Sequence, residues 1–263
     1  MTDPDYLAPL SAQQVAAWYG RLADRWGQER IDNQQPLAPL FLRHWLDNRD
    51  STSVFQFQAP NYLRSSPYVS SVLRYQRRVF LTEEQARLTG GRRIWAGVLP
   101  RMRGSPGFTR WDLRVPVNME YESLVEVGSN AADIARIQLS GSNAEKDLFG
   151  SLRGFQLRSH VLVSGARLPG ASVRMAFLAW SCRVSDRYDF DYREHLTVPN
   201  PDYGIARPDA IRPQDRSLKV YHANARRLEQ AGLAAPYNIV SKEWHVSDAS
   251  VLKPGEVDPT RRL

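Results

Sequence analysis

Cysteine occurs once in these 263 residues, at Cys182, so no disulfide can close within the chain and no cysteine-based zinc site can be built. Lysine is nearly as scarce. Lys146, Lys219, Lys242 and Lys253 are the only four, and the positive charge is therefore almost all guanidinium. No run of about 18 apolar residues occurs, which excludes a membrane-spanning helix of ordinary length. No Gly-x-Ser-x-Gly elbow, Walker loop or dinucleotide fingerprint is found, and Gly150-Ser-Leu-Arg-Gly154 lacks the lysine that a phosphate loop needs. No repeat or low-complexity segment is present. The opening Met1-Thr-Asp-Pro-Asp-Tyr6 is acidic and polar, the wrong chemistry for a secretory signal. We therefore expect synthesis and folding in the cytosol, with no stable membrane insertion, unless a dedicated secretion machine moves the protein later.

What is present is uneven. Ten arginines lie from Arg74 to Arg114 against Glu83, Glu84 and Asp112, a local excess of seven that equals the whole formal net charge of +7. Guanidinium forks suit phosphate oxygens. Tyr75, Phe80, Trp95, Phe108 and Trp111 interleave with these arginines, a pattern that fits a nucleic-acid surface, an anionic lipid surface, or a solvated face over core aromatics.

Residues 11–28 read as an amphipathic helix, with Ser11 as N-cap and Val15, Trp18, Tyr19, Leu22 and Trp26 at helical spacing. After Pro36–Pro39, Leu40 to Leu46 reads as a second helix, the two forming a hairpin. Val54–Gln58, parts of Tyr68–Phe80, Asp112–Val117 and Ser123–Val127 read as strands. Thr82-Glu-Glu caps a short helix ending at Gly90-Gly91, and 100–108 is a loop. Residues 128–147 read as a linker or long loop. Gly154–Arg167 and Ala171–Val184 are strands joined at Leu168-Pro-Gly170. Leu218–Tyr221 is a strand, His222–Ala231 a helix stopped by Gly232, and Tyr237–Trp244 a last strand. The expected fold is α+β: an N-terminal helical hairpin, then a mostly antiparallel β-sheet with a few short helices. Two domains are expected, 1–127 and 148–263, or one continuous domain.

Candidate chemistry gathers where an apolar strand (Phe177, Leu178, Trp180, Val184) runs into Asp186, Asp189, Asp191, Glu194 and His195. Acids and a base at the mouth of a packed strand are costly to desolvate, which marks a candidate site. Asp186 and Asp189 would repel each other unless a proton or a hard cation such as Mg²⁺ lay between them. His195 would take a proton from an attacking water, and Tyr188 would orient a phosphate oxygen or a carboxylate. His222 and His160 are candidates to fold back near the cluster. The alternative is a strand end in which the aspartates accept backbone N–H bonds, Tyr188 and Phe190 pack, and His195 is a surface residue. Cys182 and His44 read as core residues.

Asp186-x-Tyr188-Asp189 followed by His195 resembles the Asp-x-Tyr-Asp-x5-His-Arg signature of colicin M-type toxins, which hydrolyse the lipid-linked peptidoglycan precursor lipid II. The resemblance implies catalytic roles for Asp186, Tyr188, Asp189 and His195, with Asp186 and Asp189 as metal ligands. It departs at Leu196, where that family has arginine; Arg187 or Arg193 would have to substitute, with His222 beside them in substrate binding. More broadly, Trp180 through Gly204, with Tyr221-His-Ala-Asn-Ala-Arg-Arg-Leu-Glu-Gln-Ala-Gly-Leu-Ala-Ala-Pro-Tyr237, resembles an uncharacterised proteobacterial domain family often encoded near type VI secretion genes. Together these imply a type VI-associated antibacterial effector, a hydrolase acting in a target cell's periplasm, with a secretion apparatus or immunity protein as partner. A non-catalytic adaptor, chaperone or immunity partner, or a nuclease or nucleic-acid-binding protein, are the other readings.

Overall fold

The computed structural model of the protein describes residues 4–28, 31–81, 111–168, 172–190, 195–246 and 261–262; for 77–81, 111–123, 161–168, 172–178 and 261–262 it describes the backbone alone. Helices and a multistranded sheet make an α+β fold opened by a helix pair, as the sequence indicates. The chain forms two compact units, each discontinuous: Met1–Leu63, Glu126–Gly154 and Asp186–Val240 make the first, and Arg64–Val125, Phe155–Ser185 and Ser241–Leu263 the second. The whole stretch 128–147, where the sequence suggests a domain break, therefore lies within the first unit.

The first unit is built on α1 (Ala12–Gly27) and α2 (Leu37–Asp47). A capping box starts α1: the Ser11 hydroxyl accepts the Gln14 amide at 3.3 Å while the Gln14 side chain accepts the Ser11 amide at 2.8 Å. Its apolar stripe, Val15, Trp18, Tyr19 and Leu22, is buried. Each such side chain contributes roughly 1.5–3 kcal/mol as an upper estimate. Pro36 precedes α2 and supplies no side-chain cap. Buried Asp147 fills that role, accepting the amides of Leu37 and Ala38 at 2.8 Å each and the Tyr62 hydroxyl at 2.8 Å.

Asp147 belongs to a helix the sequence reading missed. Residues 128–147 hold α5 (Ala131–Ser140) and the start of α6 (Asn143–Ser151), counting α3 (Asn61–Arg64) and α4 (Pro67–Leu81) before them. Asn130 caps α5 through the Asp133 amide, and Ser142 with Glu145 makes a second capping box on α6. Gly128 turns the chain at φ +71°, and a Cβ there would come within 3.3–3.4 Å of Ile137, Ile134 and Phe149.

β1 (Val54–Phe57), β7 (Tyr237–Ser241) and the end of β4 (Ser172–Tyr188) are successive neighbours in this unit. β5 (His195–Pro199) and β6 (Ser217–Tyr221) form a separate antiparallel pair, from His195↔Tyr221 to Pro199↔Ser217. The loop between them is clipped by Asn200, whose amide nitrogen donates to the carbonyls of Ile211, Arg212 and Asp215 at 2.8–3.0 Å. Helix α7 (His222–Gln230) follows β6 and ends at Gly232, φ +67°, as its sequence predicts.

In the second unit the order is β4–β3–β2, where β2 is Trp111–Glu126 and β3 is Gly154–Leu168. β8 (Trp244–His245) and β9 (Arg261–Arg262) also pair with β4. β3 and β4 run antiparallel from Gln156↔Ser185 to Leu168↔Ser172, with a register shift that leaves Leu178 unmatched. Three expectations change here. Tyr68–Phe80 is not a strand but part of α4: Ser66 accepts the Val69 amide, Pro67 occupies the first helical position, and buried Val69, Leu73 and Gln76 recur at helical spacing. The two short strands at 112–127 are one, β2, at the end of the strand order, where Pro116 is tolerated. The last strand divides into β7 and β8, and the Ser241 hydroxyl at the break accepts the Val184 amide at 2.8 Å. The helix expected after Thr82, the loop at 100–108 and the turn at 169–170 lie outside the described residues.

Cys182 is 1 % exposed, its sulfur 3.3 Å from the Ser159 hydroxyl, which in turn donates to Gln76 at 2.5 Å. Burial pushes its thiol up to about 12. A thiol without thiolate character is inert. The native protein is expected to leave Cys182 unmodified by a thiol-reactive disulfide reagent at pH 8 and to release one equivalent of chromophore on unfolding; rapid native labelling would contradict the placement.

Candidate functional site

Side chains alternate along β4, so the inward face that carries Trp180, Cys182 and Val184 continues through Asp186 to Tyr188. That alternation divides the candidate residues. Tyr188, 8 % exposed, goes into an aromatic core, its ring 5.3 Å from Tyr237, 5.5 Å from Phe190 and 6.0 Å from Phe41. The Tyr237 hydroxyl donates to the Phe41 carbonyl at 2.9 Å, and burial raises the Tyr188 phenol well above its ordinary range. His44 lies in the same cluster, 4.3 Å from Phe55 and 4.4 Å from Tyr237 between ring centroids, and burial lowers its pKa.

Asp186 is half-buried on the same face. Burial pushes its carboxyl up to about 7; the Arg187 backbone amide opposes the shift and the charge of Asp189 adds to it. Arg187 points the other way, 45 % exposed at its side chain, and donates to the Ser51 carbonyl and the Asn238 side chain at 3.3 Å each. Its guanidinium also lies 3.8 Å from the exposed carboxylate of Asp189. The structure therefore groups Asp186, Arg187 and Asp189 at one strand end: a carboxyl that holds its proton near neutrality, an exposed carboxylate, and a guanidinium beside the latter.

Two further elements meet this end. Phe190 packs against Trp45 at 4.8 Å and against the His222 ring at 5.2 Å, and Arg226 of α7 donates to the Phe190 carbonyl at 2.9 Å. Glu229 ties this together, accepting from Trp45 at 3.1 Å and from Arg226 at 3.0 Å. His222 thus packs on Phe190, the residue after Asp189. His195 is exposed at the start of β5, paired in register with Tyr221, its ring 5.8 Å from that of Tyr221. Arg193, with Asp191 and Glu194, lies outside the described residues. His160 is placed elsewhere, in the second unit, 3.3 Å from Glu243, which also accepts from Ser181.

The first unit also holds a hub in the segment between β5 and β6. Asp202 is buried and takes a two-pronged bond from Arg21 (2.9 and 3.0 Å), one from Arg207 at 2.6 Å and the Ile211 amide at 3.0 Å. Burial alone would raise its pKa; the Arg21 bond, the Ile211 amide and the two guanidinium charges outweigh that and lower it. Asn-Pro-Asp at 200–202 signals a turn, but nothing local in it names Arg21 as the partner.

As a cation site, Asp186 and Asp189 offer two carboxylates. Mg²⁺ is commonly held by one or two carboxylates with substrate phosphates and water completing its shell, so the donor set fits once Asp186 ionises. Among the described residues no group of three or more His, Cys, Asp or Glu gathers to hold a metal. No family model, curated protein or solved structure matches this chain.

Proposed function

We propose that this chain is a hydrolase whose working site is the end of β4: a colicin M-like phosphodiesterase acting on lipid-linked peptidoglycan precursor, an antibacterial effector made in the cytosol and moved by a type VI-like machine to a target's periplasm. One observation carries the reading. A half-buried carboxyl pushed up to about 7 stands beside an exposed carboxylate and a guanidinium, and unlike environments for neighbouring carboxyls divide acid from base roles. Asp186 gives its proton to the departing lipid alcohol oxygen as its bond to phosphorus breaks. Water attacks phosphorus and loses its proton to a histidine, for which His222 and His195 are the candidates. Arg187 offsets phosphate charge, and Asp189 orients the water. Tyr188 supports this by packing, fixing the direction of the strand end. With Mg²⁺ bound instead, Asp186 would be ionised and would hold the ion with Asp189, the metal supplying neutralisation of a pyrophosphate in place of the Asp186 proton.

Purified protein incubated with lipid II, with and without Mg²⁺, is expected to release pyrophosphorylated disaccharide-peptide, and Asp186→Asn or Asp189→Ala to slow release by about 100-fold or more. No release, or release undiminished in both variants, overturns the reading.

A second reading, a non-catalytic adaptor, chaperone or immunity partner of a secreted protein, is favoured by the burial of Tyr188 in the aromatic core, where its hydroxyl serves no open site. Expression separates the two. A cell-wall hydrolase kills when sent to the periplasm, and an adaptor kills in neither compartment.

A further inference from the structure

The first unit contains a cavity of about 470 Å³ that includes none of the residues at the end of β4. Its walls come from α1, α2, α5, α6 and the β5–β6 pair. The volume lies within the range of small-molecule sites, roughly 300–1,000 Å³, and is space for roughly 15 waters, far beyond a packing defect.

Ile137, Phe149, Val198 and Ala38 are buried and apolar. Lys146 and Arg216, the cations of the lining among the described residues, are exposed. The one acid there, Asp147, is committed to two backbone amides and the Tyr62 hydroxyl. Leu139, also in the lining, is a large apolar side chain that stands 85 % exposed. An apolar interior with positive charge toward solvent selects an amphiphile of opposite order: a chain that enters and an anionic head that stays outside.

We propose that this cavity binds a linear alkyl chain ending in a single anionic headgroup, the chain against Trp26, Leu139, Leu196 and Pro199 and the head met by Lys146 and Arg216. Carboxylate and phosphate heads share the chemistry those cations recognise. The inference is independent of the hydrolase reading, since no residue of that site takes part.

Calorimetric titration of the full chain with dodecanoate, dodecyl phosphate and dodecan-1-ol, each below its micelle or solubility limit, tests it. The expected result is saturable one-to-one binding of at least one anion, about tenfold or more tighter than the alcohol. Amide shifts in a nuclear magnetic resonance spectrum should centre on Trp26, Leu139 and Leu196. The double variant Lys146→Glu/Arg216→Glu, at two exposed positions, should lose the advantage of the anions and keep the alcohol affinity within about twofold. Binding of the carboxylate alone assigns a fatty acid, of the phosphate alone a lipid phosphate. No saturable binding, anion affinity retained in the double variant, or shifts centred elsewhere overturns the proposal.

Discussion

Replacing Asp202 with alanine is expected to lower the free energy of unfolding by about 3–5 kcal/mol at pH 7, the cost of breaking a buried ion pair from one side. Arg21 and Arg207 converge on a carboxylate with no exposed side-chain surface, and its removal leaves half-buried Arg21 without its anion and Arg207 with exposed Asp209 alone. The same change frees the Ile211 amide and loosens the 200–216 loop that Asn200 clips. Urea denaturation of the wild type and the variant measures the difference, and a loss under about 1 kcal/mol would contradict the hub. The pH dependence has a definite sign. The native pKa of Asp202 lies below its unfolded value, so its contribution is present above about pH 4 and lost as acid protonates the native carboxylate. The alanine variant should lack that part of the acid sensitivity.

Asp186→Asn is expected to do the opposite. The native carboxyl titrates near 7 and the unfolded one near 3.8. Between these values the native state holds a proton that the unfolded state has released, so the stability of the wild type falls as pH rises through this window. Above pH 7 the protein bears the full cost of an ionised, half-buried carboxylate. Asparagine keeps the shape without the charge. The variant should therefore match the wild type near pH 4 and exceed it at pH 8 by on the order of 2–4 kcal/mol. Thermal denaturation across pH 4–8 checks this, and a constant difference between the two proteins would contradict it. A residue that costs its own fold stability at working pH is typical of a site kept for activity.

The N-terminal helices were legible because cap and stripe agree: Ser11 and Gln14 fix the start of α1, and Val15, Trp18, Tyr19 and Leu22 its buried face. The α4 segment misled because Tyr68, Val69, Val72 and Tyr75 favour strands, while the positions that matter, Val69, Leu73 and Gln76, follow the helical period. The helices in 128–147 have little apolar content, and Ile137 is the one buried side chain of α5. Their signal was instead the Ser142-x-x-Glu145 capping box. At the site, closeness of Asp186, Arg187 and Asp189 follows from their spacing at a strand end. The inward turn of Asp186 and Tyr188 was also written in the alternation Trp180, Cys182, Val184. What no local pattern carries is the approach of α7, since Arg226 and His222 reach Phe190 across more than thirty residues. The arginine-rich stretch beyond Leu81, up to residue 110, lies outside the described residues.

The central claim is that Asp186 keeps its proton to near neutrality while part of an open, charged strand end. Carbon-detected nuclear magnetic resonance of the aspartate side-chain carboxyls, with Asp186→Asn to assign the signal, measures it directly. The account predicts a carboxyl titrating close to pH 7 and moving to lower pH when Mg²⁺ is added. Titration near pH 4, with or without the cation, would contradict it.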